Sequence, residues 1–445
     1  MALVAANGLS FFVNGKSDGD AIGDAGTQIM LGVLPALLHA NPRTGLIVGL
    51  GTGETPGWLA EVPGIERVDV VELEPAVDEM ARRCAAVNFD VLHHPKVRRI
   101  YNDAREVLLT ASDRYDIIAS EPSNPYRAGV ASLFTREFYE ASLARLEPEG
   151  LFVQWVQGYE IDEQTVRAVL ATLRSVFGYV EVWQSKNDDM LLVCSRRPLS
   201  YRAARLRDRI AQDPFRTAVA CGWRVADLEG MLSRFVAGSA LADEVAGEEA
   251  GWVNTDDRNR IEYGFARSVG MSTGFSIQDL RQEAVACGAH RPPLDGESEV
   301  NWDRVEGHRQ ILDALAGKIV LPSQPTAEHK ARAEAMKLYW QADTKGMVET
   351  WERAAYEPLF PSETALLALG YANLGSDKAR ELTRRLRAFR RTEADAIDAY
   401  LASKQGKYRE SADLLHRVLT RLRSSPWGLA HALELAFPAV SRVVE

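Results

Sequence analysis

Glu121 and Asn124 stand in the stretch SEPSNP, each followed directly by proline, just after the apolar run YDIIAS. A carboxylate can accept a proton from an attacking group and an amide can orient it, so the pair suits proton transfer at a positioned nucleophile. Glu-Pro and Asn-Pro also form turns, and the alternative is that Asn124 only ties down the loop. A second group of residues precedes it. In LIVGLGTGE, Gly49, Gly51, Thr52 and Gly53 follow an apolar run, where glycines let the backbone approach a ligand and leave helix amides free to bind it. About twenty residues on, VVELEP ends a second run in Glu72, an acid placed to accept ribose hydroxyls. A third run ends in NDAREVL, where Asp103 can accept from an adenine amino group while the backbone amide at Ala104 donates to the ring. Asp103 equally suits the N-cap of the following helix, and the glycines could simply turn the chain.

These groups need a scaffold that gathers the ends of several strands. From Gly45 the runs GLIVGL, RVDVVEL, VRRIY, YDIIAS and GLFVQWV alternate with helically spaced segments, which predicts a parallel sheet covered on both faces. GYVEVWQ and DMLLVCS are separated only by SKND, too little for a parallel crossover, so they form an antiparallel hairpin. The expected fold is α/β: a doubly wound, seven-stranded sheet of the AdoMet-transferase type with an N-terminal β-hairpin, followed by an all-α helical-repeat domain. In such a sheet ligands bind outside the carboxyl ends of the strands where strand order reverses, so Glu121 and Asn124 face whatever rests on Glu72 and Asp103.

The expected divisions are a hairpin or flap over 1–24 with an Asn14-Gly15 turn, a nucleotide-binding catalytic domain over 25–200, a helical extension returning to the core over 201–270, a linker region over 271–325 and a helical domain over 326–445. In the last, ALLALGYANLGSDKARELTRRL and AIDAYLASKQGKYRESADLLHRVL each show a helix, a glycine turn (Gly375, Gly406) and a second helix with alanine at the packing position (Ala379, Ala412). Their spacing is near that of tetratricopeptide repeats, a plain helical bundle being the alternative.

Composition narrows the function. At 445 residues the chain is long enough for two or three domains, and 46% hydrophobic with 26% charged residues is a soluble globular balance. A formal charge of -10 argues against nucleic acid as a partner. Cys84, Cys194, Cys221 and Cys287 form no C-x-x-C pair, so neither a zinc site nor a disulfide framework is expected. His93 and His94, in a polar loop before Pro95, read as solvated rather than metal-binding, and no metal is expected. The longest apolar run, IMLGVLPALL, falls short of the roughly 20 residues that span a bilayer. The expected location is cytoplasmic, with membrane association if the chain is a piece of a larger fused protein.

Taken together, FFVNGKSD, GLGTGE, VVELEP, NDAREVL and SEPSNPYRAGVASLFTREFYE resemble the polyamine aminopropyltransferases, the spermidine and spermine synthases. The likeness is greatest to the divergent spermidine-synthase-like domains often fused behind membrane segments, and NTDDRNRIEYG is similar to a segment of those relatives. The resemblance implies that Glu72 binds ribose, that Asp103 binds adenine and that residues 121–125 form the catalytic loop. Two departures matter. The family loop reads D-x-x-D-P, and its first aspartate helps deprotonate the attacking amine, whose ammonium has a pKa near 10. Glu121 keeps the charge but reaches one methylene further, and about 1 Å of misplacement can cost on the order of 100-fold. Thr52 stands where the family has an aspartate that holds the aminopropyl ammonium and disfavours the carboxylate of intact AdoMet. Intact AdoMet is thus at least as good an expectation as decarboxylated AdoMet.

By the same resemblance, Asp18 and Gln28 line the pocket, and Tyr159 with Gln154 and Gln157 lines the acceptor side. Asp256 and Asp257 offer a replacement acid, of which one, taken as Asp257, could face the site; an exposed turn paired to Arg258 and Arg260 is the alternative. The expected activity is transfer of the three-carbon arm of AdoMet or decarboxylated AdoMet to an amine or other nucleophile, releasing methylthioadenosine. The rivals are elimination or cyclisation within AdoMet, methyl transfer, and a degenerate nucleotide-binding module with a protein-binding tail. A homodimer and a protein held by the helical repeats are left open as partners.

Overall fold

The computed structural model describes residues 2–4, 10–13, 16–125, 127, 129–249, 251–268, 270–271, 274–322, 324–358 and 360–428. The chain divides into two units: residues 1–223 with 234–300, and residues 224–233 with 301–445.

The first unit opens with a three-stranded antiparallel sheet of β1 (Ala2–Val4), β2 (Ser10–Val13) and β3 (Lys16–Asp20), in which β2 and β3 form the expected hairpin. The Asn14-Gly15 turn and the side chain of Asp18 lie outside the described residues. Helix α1 (Ala25–Leu38), buried along its whole length, leads into β4 (Thr44–Val48). There follow α2 (Glu54–Glu61), β5 (Arg67–Glu72), α3 (Val77–Arg83), α4 (Ala85–Asn88), β6 (Val97–Tyr101), α5 (Ala104–Thr110) and β7 (Tyr115–Ser120). Next come α6 (Arg136–Arg145), β8 (Leu146–Val156), α7 (Glu163–Val176), β9 (Tyr179–Gln184) and β10 (Met190–Ser195).

Among the described residues the main sheet has eight strands, with β12 (Phe235–Ala237) added to the seven expected; the order is β12-β9-β10-β8-β7-β4-β5-β6. Pairing is parallel from β6 through β8, whereas β10 lies antiparallel between β8 and β9. This is the doubly wound fold of AdoMet-dependent transferases, with strand order reversing at β4 and β7. The face bearing Leu46, Val48, Ile118 and Phe152 packs on α5, α6 and α7 in one apolar core, while α1 and α2 pack against the strands from the other side. Two short strands, β11 (Tyr201–Arg202) and β13 (Leu294–Asp295), pair in parallel apart from this sheet.

Asn254, fully buried, fastens the return of the chain to this unit. Its backbone N–H donates to Thr172 Oγ1 (2.9 Å), its side-chain N–H to the Phe134 carbonyl (3.1 Å), and its Oδ1 accepts from Arg260 N (2.7 Å).

The second unit is helical. The helix Leu228–Leu232 packs on Trp302–Leu315, and three helix pairs follow: Ala327–Trp340 with Thr344–Ala354, Pro361–Asn373 with Lys378–Phe389, and Arg391–Lys404 with Tyr408–Leu422. Gly375 and Gly406 adopt the left-handed conformation that ends the first helix of the last two pairs (φ 69° and 72°). Ala379 is fully buried and Ala412 half-buried, with Ser411 filling the buried position beside it. Residues 429–445 lie outside the described residues. Among the described residues no helix is long and apolar enough to cross a membrane.

Candidate active site

The glycine loop is fixed before any ligand arrives. Gly49 N donates to the Val71 carbonyl (2.9 Å), and a Cβ on Gly49, at φ 98°, would lie 3.0 Å from the Glu121 carbonyl oxygen. Only glycine serves where β4 and β7 run so close at their ends. At Gly51 (φ 51°) a Cβ would meet nothing within 4 Å, so the loop backbone is open on that side. Thr52 is buried: its hydroxyl donates to Gln28 Oε1, and its carbonyl accepts from Asn88 Nδ2 (2.7 Å).

Glu72 at the end of β5 is tied to this loop. One carboxylate oxygen accepts from Leu50 N and the other from Glu74 N, both at 2.9 Å. Each oxygen keeps lone pairs for further donors, such as a vicinal diol. After β6, Asp103 is exposed and caps α5 by accepting from Arg105 N (2.7 Å), with Ala104 buried beneath it. The cap uses Oδ1, so capping and adenine binding are compatible. Gly49, Gly51, Gly53, Glu72 and Asp103 thus stand at the carboxyl ends of three adjacent strands, β4, β5 and β6.

Across the switch point, Glu121 N donates to the Val48 carbonyl (3.1 Å), and Glu121 Oε2 lies 2.7 Å from Thr55 Oγ1, the second residue of α2. Thr55 Oγ1 is also 2.8 Å from the Gln28 carbonyl, so its single proton serves one acceptor at a time. Asn124 is 3% exposed. Its Oδ1, Ser120 Oγ, Gln154 Oε1 and Gln157 Oε1 are all buried and without a hydrogen-bond partner among the described residues. Ser120 and Gln154 are register partners on β7 and β8, so unused acceptors gather where those strands end. Gln157 donates through Nε2 to the Tyr159 carbonyl (2.7 Å), while the Tyr159 ring is 45% exposed.

Asp257 is not brought to this crevice. It is exposed in a turn closed by Thr255 and Arg258, and its neighbour Asp256 pairs with Arg105 (2.7 Å to Nη1). The Arg105 guanidinium holds the Asp256 carboxyl below the usual carboxylate range. That pair braces the segment against α5.

Reading the sequence alone missed Glu54. It opens α2, is fully buried, and has no partner on either carboxylate oxygen among the described residues. Burial, and then the carboxylates of Glu121, Asp24 and Asp20, raise its carboxyl well above the ordinary range. Asp24 pairs with Lys186 (2.9 Å). Burial works to raise Asp20, but hydrogen bonds from Ser10, Gly23 and Ile22 outweigh it and hold this carboxyl low. Thr52 therefore does not leave the loop without an acid: one stands two residues further on.

Comparison with known proteins points to the same region of the chain. The polyamine aminopropyltransferase of Nitrosomonas europaea is 30% identical over 188 residues, 40% of this chain and 58% of that protein. A thermospermine synthase of Arabidopsis thaliana is 30% identical over 154 residues, 34% of this chain and 45% of its own length. The chain thus spans about half the length of the curated relatives it matches. Among solved structures, the spermidine synthase of Thermotoga maritima aligns at 22% identity with a TM-score of 0.38, covering 43% of this chain and 66% of that one. Residues 25–185, which hold the glycine loop, Glu72, Asp103, Glu121, Asn124, Gln154 and Gln157, match the spermine/spermidine synthase domain.

Proposed function

We propose that the chain is a spermidine-synthase-like transferase that moves the aminopropyl arm of decarboxylated AdoMet to an amine. The nitrogen lone pair attacks the methylene carbon next to the sulfonium. The C–S bond breaks, its electron pair returns to sulfur as neutral methylthioadenosine, and the amine gives up a proton to Glu121. Glu72 accepts the ribose hydroxyls and Asp103 the adenine amino group. Asn124, Gln154, Gln157 and Tyr159 position the acceptor, with Gln28 beside the glycine loop.

The observation that carries this reading is the set of buried acceptors on Ser120, Asn124, Gln154 and Gln157 left unused among the described residues, across the switch point from Glu72 and Asp103. Buried acceptors without donors are costly unless a ligand supplies N–H groups, and an amine does so. Intact AdoMet would bring a carboxylate toward Glu54, Glu121, Asp20 and Asp24, which favours the decarboxylated donor. The helix pairs of the second unit are read as tetratricopeptide-like repeats for a protein partner.

Incubation with decarboxylated AdoMet and, separately, AdoMet, with and without diamines, followed by mass spectrometry of the nucleoside, tests the reading. Amine-dependent methylthioadenosine is the expected product. S-adenosylhomocysteine would indicate methyl transfer, and methylthioadenosine formed without an amine would indicate a reaction within the donor. Binding without turnover would leave a nucleotide-binding module.

A further inference from the structure

Glu54 opens α2, fully buried, next to Thr55, whose hydroxyl touches Glu121. The charged groups that act on it are carboxylates. Glu121 faces it from the end of β7, and Asp20 and Asp24 from the segment entering α1, with the Lys186 ammonium held by Asp24. From the C-terminal end of α3, Cys84 adds no charge, since burial first and Glu54 second push its thiol up to about 12. A carboxyl that is fully buried with neither oxygen hydrogen-bonded is unfavourable in either protonation state. The neutral Thr52–Gln28 pair beside it satisfies itself, and Thr52 Oγ1 accepts from the Glu54 backbone N–H (3.4 Å) but gives its carboxyl no donor. An alkylammonium, with three N–H donors and a positive charge, matches both deficits at once.

We propose that Glu54 is the ammonium-binding residue of this site: a ligand alkylammonium enters between Glu54 and Glu121 and displaces the proton of the Glu54 carboxyl to solvent. No covalent bond to carbon forms or breaks. A neutral carboxyl and a cation become an ion pair and one free proton, so charge balances. The proton is present in the empty site because burial and the surrounding carboxylates favour the neutral acid. The proposal rests on the transferase reading and deepens it, since the donor arm and the acceptor both carry an ammonium.

Calorimetric titration of the full chain near neutral pH, in two buffers of different ionisation enthalpy, counts the released protons. Decarboxylated AdoMet probes the donor ammonium, 1,4-diaminobutane probes the acceptor ammonium, and methylthioadenosine, which has none, reports the nucleoside site alone. About one proton is expected to leave with whichever probe seats its ammonium on Glu54, and below the Glu54 titration that binding tightens about tenfold for each unit by which pH rises. Glu54→Gln is expected to abolish proton release and weaken that probe by about tenfold to a hundredfold. Its unchanged affinity for methylthioadenosine would show that the variant is folded. Wild-type affinity of both ammonium probes for Glu54→Gln, or binding without proton release by the unaltered chain, overturns the proposal and leaves the nucleoside reading standing if methylthioadenosine still binds. If methylthioadenosine does not bind the unaltered chain, the transferase reading fails. The proposal then survives only if 1,4-diaminobutane binds with proton release, and falls otherwise.

Discussion

Glu121→Gln keeps the size of the side chain and its place beside Thr55 but removes the proposed proton acceptor. Methylthioadenosine formation is expected to fall by about 10²- to 10⁴-fold while nucleoside affinity holds; unchanged turnover would remove Glu121 from the chemistry. Glu72→Ala takes away the proposed acceptor for a ribose and frees Leu50 N and Glu74 N. Its dissociation constant for methylthioadenosine, read by calorimetry, is expected to rise by about tenfold to a hundredfold. Glu72, Asp103 and Glu121 could be singled out in the sequence because each is an acid ending an apolar run. Glu54 could not. An acid in the first turn of a helix is the ordinary choice against the helix dipole, and such residues are usually solvated. Its burial comes from α1 and the segment before it lying over α2, a long-range contact that leaves no local pattern.

The elements hold the site through close contacts that the residue types permit. Gly32 on α1 is one: a Cβ there would lie 2.4 Å from the Thr55 carbonyl oxygen on α2. Gly32→Ala is expected to force the helices apart at a cost of about 1–3 kcal/mol. Because Gln28 lies one turn earlier on α1, the variant should also weaken nucleoside binding; thermal unfolding and calorimetry check both. On β9, buried Glu181 accepts from Tyr201 Oη (2.9 Å) and Trp183 Nε1 (3.1 Å). Burial pushes its carboxyl up to about 7, the two hydrogen bonds working the other way. The folded form therefore prefers the protonated acid. That stabilisation is complete below about pH 4.5, declines as pH rises toward about 7 and is gone above it. Glu181→Gln is expected to flatten the decline and to be more stable than the parent above neutrality by on the order of 3 kcal/mol, as measured by urea unfolding across this pH range. Strand positions and the hairpin of β9 and β10 were legible from period-two apolar runs. The insertion of β10 between β8 and β9, and the addition of β12 to the edge, were not, since alternation reports a buried face but not the neighbouring strand.

At the scale of the whole molecule, the helical unit takes residues 224–233 from within the span of the first unit. Leu228, Met231 and Leu232 are fully buried there, and Asp227 pairs with Arg304 (2.6 Å) and His308 (3.3 Å). Burial works to raise the Asp227 carboxyl, but His308 and Arg304 outweigh it and hold it far below the usual range. A chain ended after Val300 would strand these apolar side chains, each worth about 1.5–3 kcal/mol when buried. It is expected to aggregate and to bind a hydrophobic dye, and a monodisperse, dye-free product would contradict that. The sequence by itself determined the order of strands and helices, the glycine turn and the acids that end the strands, because these follow from local periodicity and backbone preference. Only the tertiary structure decided that β12 joins the sheet edge, that Asp257 faces solvent, that Glu54 is sealed among carboxylates and that residues 224–233 belong with the helices. Burial is non-directional and is completed by segments far apart in the chain, so which element covers a residue is a property of the packed molecule.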